Sequence, residues 1–303
     1  MTRGATARAD DGGSSSGTVG SEWTPDELAN NVRVLAGAFA LLAVASVTLV
    51  RLAVNAPMGS RLVPPGVPAL AMTAAHVVPA VGALAVALTA ASTHERIGLL
   101  AVGVFPLLSL ADGAAAVPAA GALVAGGALV VLPRFEWNND WHAVRRGLVA
   151  AVVLASVGLS LVGAMGVAPA FTRPVGSELF LLALAATVVY ARPGVGGWFA
   201  GALVALGIVF VGSNAPFVTG AAVLVTSAVV RTSLFVLALG LGGAVAATAG
   251  LARDGRVTAA LGIATVALAG VPATVPRATA VVLGLVLTVL AVTERQSEET
   301  THG

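Results

Sequence analysis

Four ionisable side chains stand inside or beside long apolar runs: His76, Asp112, Glu178 and Arg231. An ionisable group in hydrocarbon is costly to keep there, so each marks a possible intramembrane polar site, whether relay, ligand or counter-ion. His76 lies between Ala75 and Val77. A proton relay would need a carboxylate at a matching depth, and no apolar run offers one, so His76 reads as a packing histidine. Asp112 precedes Gly113, which is ordinary turn chemistry. Glu178 opens an apolar run, where a carboxylate complements the helix dipole. Arg231 sits at the centre of the block 216–251 and reads as a hairpin tip.

A second constellation is the polar segment Arg134-Phe-Glu-Trp-Asn-Asn-Asp-Trp-His-Ala-Val-Arg-Arg146. Trp137 and Trp141 are four apart, so a helix would place both on one face. Tryptophan at headgroup level followed by Arg145 and Arg146 fits an interfacial turn leading into the next span. Trp and Arg are also the commonest anchors of protein interfaces. The segment is therefore a candidate partner-docking surface, carried by Trp137, Trp141, Arg145 and Arg146.

Motifs of catalysis and cofactor binding are missing. His94-Glu95 has no second histidine four residues on, as a zinc helix requires. The chain has no Cys and only four His, so a Cys-based metal site is impossible and a histidine cluster is not expected. No Gly-x-Ser-x-Gly elbow occurs. The Pro68-Ala-Leu70 triplet lacks the Gly-x-Gly-Asp partner of intramembrane aspartyl proteases, and the glycines at 240–243 lack a phosphate-loop lysine. No enzyme, cofactor or metal is expected.

The elements that must carry these residues are set by composition. Of 303 residues, 57% are hydrophobic and 10% charged, where soluble domains carry about 25% charged. Apolar runs recur along the whole length, so the fold class is all-α: a polytopic transmembrane helix bundle of ten or eleven spans, several as short helical hairpins. All sixteen basic residues are Arg. They stand singly or in pairs between apolar runs, as span anchors rather than a nucleic-acid surface.

Residues 1–24 form a Gly/Ser-rich tail, expected to be disordered and cytoplasmic. Thr24-Pro-Asp-Glu27 carries a capping box with proline at the first helical position. The bundle runs over 25–292, with 134–146 as its central polar loop and 293–303 as an acidic solvated tail. Asp112-Gly113 splits the block 97–133 into two short spans. Residues 172–178 read as a loop before a span over 175–191. The blocks 216–251 and 257–292 are each too long for one helix and tight for two. Splitting both gives eleven spans, and leaving one as a tilted or re-entrant helix gives ten. With eleven and the N-terminus inside, ten arginines including Arg231 and Arg277 fall inside, and six including Arg253 and Arg256 fall outside. That bias favours a cytoplasmic N-terminus in the cell membrane. Small-xxx-small pairs at Ala122/Gly126, Gly240/Ala244 and Ala246/Gly250 should let helices of this chain approach closely.

The Arg-only, Cys-free, Ala/Val/Gly-rich style, with acidic Gly/Ser-rich ends, resembles uncharacterised multi-spanning membrane proteins of haloarchaea. Some of these are encoded beside MoxR-type ATPases. The resemblance covers the general plan and carries no functional residue across. It implies a non-catalytic scaffold or subunit that works with other membrane or cytoplasmic proteins. The alternative is a small-solute secondary transporter of drug/metabolite-transporter size, which should show polar broken helices near the midplane.

Overall fold

The computed structural model describes residues 24–56, 63–135, 141–228 and 232–301. They form eleven α-helices: α1 (Pro25–Asn55), α2 (Val67–Leu88), α3 (Thr93–Ala111), α4 (Ala116–Val131), α5 (Trp141–Ala164), α6 (Pro169–Ala185), α7 (Val195–Asn214), α8 (Pro216–Thr226), α9 (Leu234–Arg253), α10 (Val257–Ala269) and α11 (Val275–Thr301). No strand occurs among the described residues. The chain is a polytopic helical bundle, and nine of its described segments are long and apolar enough to cross a bilayer.

Local chemistry sets the ends. Thr24 accepts from the Glu27 amide while the Glu27 carboxylate accepts from the Thr24 amide, closing the capping box at α1. Ser92 caps α3 through the Glu95 amide. Asp112 ends α3, and its carboxylate accepts from the Ala114 amide at 2.9 Å to start a short 3-10 turn before α4. The expected break in the block 97–133 is therefore where the sequence puts it.

Contacts between the ends fix the threading. Arg33 pairs with Glu294 at 2.5 Å, so the start of α1 lies beside the membrane exit of α11. Arg134 pairs with Glu95, joining the exit of α4 to the start of α3. The Tyr190 hydroxyl donates to the Arg146 carbonyl at 2.7 Å, joining the end of the α6 segment to the start of α5. The Arg253 guanidinium lies against Gly194, which precedes α7. These points define one end of the bundle, the first end.

Two expectations need correction. Residues 172–178 are helical, not a loop, because α6 begins at Pro169 with proline at its first position and tolerates Pro174 near its start. More consequentially, α8 has eleven residues, about 16 Å against a hydrocarbon core of about 30 Å. It leaves from the second end, where α7 stops. The start of α9 is at that end too, since Leu234 packs on Gly212 while Arg253 reaches Gly194. So α8 does not cross, and among the described residues nine segments are span-length while α10, at thirteen residues, makes a shorter tenth pass. Arg277 lies at the second end, and Arg253 and Arg256 at the first, the reverse of the eleven-span reading. Arg231 lies outside the described residues.

The tenth crossing is completed by α10. It starts beside α1, where Thr258 bonds Asn30 at 3.5 Å, and stops after thirteen residues. Gly270, at φ +66°, turns the chain so that the Val271 amide donates to the Thr226 carbonyl at 2.6 Å. The ends of the two short helices thus satisfy each other's backbone, as a helix end inside a bilayer must be satisfied.

Helices α1 to α6, then α9 and α10, neighbour one another in a closed circuit, and α7 packs on the outside of α9. Helix α11 lies within, against α1, α2, α3, α4, α5 and α10. Its residues from Ala278 to Leu283 are fully buried. Glycines let the backbones close up: Gly126 faces Gly98, Gly242 faces Gly201, and Gly284 faces Gly262. Gly126, Gly240, Ala246 and Gly250 of the small-residue pairs all pack within the chain, against Gly98, Leu181, Gly201 and Pro193. Close backbone approach stands in for the hydrophobic drive that lipid does not supply.

Candidate functional site

At the first end, α5 begins at Trp141, whose side chain is 70% exposed. Trp137 lies outside the described residues, so the proposed shared face with Trp141 does too. Arg145 is exposed. Arg146 is instead turned inward: its Nε donates to the Val189 carbonyl at 3.3 Å, and its own carbonyl receives the buried Tyr190 hydroxyl. Phe135 is buried, and Arg134 is held by Glu95. The docking residues therefore divide by geometry. Arg146 locks α5 against the α6 segment, while Trp141 and Arg145 face outward.

The intramembrane candidates are not brought together. His76 Nε2 lies 2.9 Å from the Pro106 carbonyl. A carbonyl only accepts, so Nε2 carries the proton. Ser109 donates to the same carbonyl at 2.7 Å. His76 therefore clamps α2 to α3, and the interaction is satisfied without a carboxylate. Asp112 caps its turn through the Ala114 amide. Glu178 is exposed, and it is the tenth residue of α6 rather than its first. The dipole explanation fails for it, because that effect fades within the first turn. Its neighbour Ser177 is buried and bonds Thr232 at 3.3 Å. Among the described residues no group of three or more His, Asp or Glu could hold a metal ion.

One feature at the second end escaped the sequence reading. A shallow, open cleft with about 40 Å³ of internal space lies between α1, α2, the end of α10 and the start of α11, well short of the roughly 300–1,000 Å³ of enclosed small-ligand sites. Arg51 and Arg277 both line it, with Thr48, Thr274 and Met72 beside them and Val44, Val47, Ala75 and Leu268 as apolar wall. No Asp or Glu lines it. Among the described residues Arg51 makes only long contacts, 3.5 Å to the Ser227 hydroxyl and 4.0 Å to the Met72 sulfur. The sequence did hold a signal. Arg51 follows Arg33 by eighteen residues and Arg277 precedes Glu294 by seventeen, each about one hydrocarbon thickness at 1.5 Å per residue.

Comparison with known proteins gives one positive result. The model of an integral membrane family of unknown function (DUF8068) matches residues 33–289. Searches of curated proteins and of solved structures returned no match.

Proposed function

The chain belongs to this integral membrane family, and from that premise we propose that it is a non-catalytic scaffold or subunit of a complex assembled on the cell membrane, with its first end cytoplasmic. The observation that carries this reading is the burial of α11. A solute path needs polar groups near the midplane. That position is taken by the helix from Ala278 to Leu290, whose only polar side chains, Thr279 and Thr288, bond back to their own helix at 2.8 Å. The transporter alternative finds no support in such a filled centre.

Orientation rests on the arginines. With ten crossings, nine described arginines lie at the first end (33, 96, 134, 145, 146, 192, 253, 256 and 295) and three at the second (51, 173 and 277). This is a stronger bias than eleven spans would give, and it supports a cytoplasmic first end. The exposed Trp141 and Arg145 then face the cytoplasm, where a soluble partner, such as the ATPase type suggested by the sequence resemblance, could dock.

The test is purification of the tagged chain from its own membrane beside a Trp141→Ala/Arg145→Ala variant. Scaffold function predicts a stoichiometric partner with the wild type, lost in the variant at equal membrane insertion. A wild-type chain that purifies alone, or a variant that keeps its partner in full, refutes the assignment of that surface.

A further inference from the structure

We infer that the cleft between Arg51 and Arg277 is a binding site for a phosphate-bearing anion. The argument starts from depth. Arg33 and Glu294 are paired at the first end. Eighteen residues along α1 and seventeen back along α11 place Arg51 and Arg277 about 27 and 26 Å away, at the phosphate level of the opposite leaflet. Two separate helices thus deliver one guanidinium each to the same depth and the same cleft.

The charge there is unbalanced. Arg33 and Arg134 have carboxylates, and Arg173 donates to the Gly163 carbonyl at 3.0 Å. Neither Arg51 nor Arg277 meets an acidic side chain in the cleft. Two cations facing one partly enclosed space repel each other, and the repulsion is greater where the walls exclude water. An anion between them reverses the sign of the interaction. Guanidinium forks fit phosphate oxygens in a planar, two-point manner, and the cleft sits at the start of α11, whose dipole adds in the same sense. Thr274 and Ser227 provide hydroxyls at the rim.

The walls point to how the rest of the ligand is accommodated. Val44 lies seven residues deeper along α1 than Arg51, about 10 Å, and with Val47, Ala75 and Leu268 it presents only apolar surface. A phosphodiester headgroup at the arginines with its acyl chains along this wall satisfies both parts. Inorganic phosphate satisfies only the upper part.

The experiment uses the full chain purified in neutral detergent. Phosphatidylglycerol, phosphatidylcholine and inorganic phosphate are titrated separately, with bound copies counted by native mass spectrometry and stability followed by thermal melting. The variants are Arg51→Gln, Arg277→Gln and Arg173→Gln, the last an arginine of the same end outside the cleft. The expected result is one tightly held phosphatidylglycerol, raised melting temperature, and about tenfold weaker binding in each cleft variant, roughly 1.4 kcal/mol. Arg173→Gln should behave as wild type. Saturable inorganic phosphate binding that is lost in both cleft variants, without lipid retention, supports the same site with a free anion as ligand. If a glutamine variant does not fold, Arg51→Lys and Arg277→Lys keep the charge and remove the fork, and should weaken binding less than the loss of charge. Equal lipid binding in wild type and both folded cleft variants, or equal loss in Arg173→Gln, overturns the assignment.

Discussion

The crossing of α10 and α11 gives the sharpest test of how this bundle is held. A Cβ added at Gly284 would stand 2.6 Å from the Gly262 carbonyl oxygen and 2.9 Å from a Val266 methyl. Ordinary contact begins near 3.4 Å, so Gly284→Ala intrudes by about 0.8 Å on a backbone atom that no rotamer change can move. Either the helices separate or α11 shifts. Because α11 also touches five other helices, a shift disturbs packing on every side. Overpacking of this kind costs about 1–3 kcal/mol, and helix propensity returns at most about 1 kcal/mol of it. Gly121→Ala and Gly207→Ala are the controls: both are helical, and an added Cβ meets nothing within 4 Å. They should be neutral or stabilising by up to about 1 kcal/mol. The assay is thermal unfolding in one detergent, followed by tryptophan fluorescence and aggregation. Gly284→Ala should melt several degrees below wild type and below both controls. Melting of Gly284→Ala with the controls, at or above wild type, would show that close backbone approach does not hold the centre together.

Two further outcomes follow from the threading and the clamp. The chain has no cysteine, so single cysteines at Asp26, Ser213, Asp254 and Thr301 can be labelled from one side of sealed vesicles without background: 26, 254 and 301 should react together and 213 from the opposite side, whereas reaction of 254 and 301 with 213 would restore the eleven-span count. His76→Leu should cost about 1 kcal/mol because Ser109 still donates to the Pro106 carbonyl, and adding Ser109→Ala should cost more than the two single changes predict; strict additivity would mean that the two donors do not share that acceptor.

The sequence reading succeeded where the deciding chemistry is local. Thr24-Pro-Asp-Glu27 and Asp112-Gly113 each act within a few residues, and each does in the structure what its type implies. It failed where depth decides. Helix α8 is as apolar as a full span, and hydropathy cannot distinguish a helix that turns back from one that crosses. The determinant is a bond between Val271 and Thr226, forty-five residues apart, together with Ser227 in the left-handed region at φ 50°. Of the two counts the sequence allows, the eleven-span one displaces Arg253, Arg256 and Arg277 to the wrong ends, and the ten-span one, with a re-entrant helix, does not. The candidate site suffered similarly. Arg51 and Arg277 looked like isolated anchors because the fold that brings them together is not written near either one.

The two ends of the bundle handle charge in opposite ways, and α11 connects them. At the first end three cations find partners inside the chain: Glu294 holds Arg33, Glu95 holds Arg134, and the backbone receives Arg146. Arg33 is 9% exposed, and a cation so buried needs its carboxylate, since removing one partner of such a pair leaves a charge the interior cannot solvate. At the second end two cations share a cleft that offers no internal anion. The same helix places Glu294 in the first arrangement and Arg277 in the second. Its length between them matches the hydrocarbon core, so neither group can move to the other's level without tilting the helix against tightly packed neighbours. On the proposed scaffold reading, rigid registration of this kind would hold surfaces at fixed depth on the two faces of a membrane, whereas an alternating-access device would have to move the tightly enclosed α11.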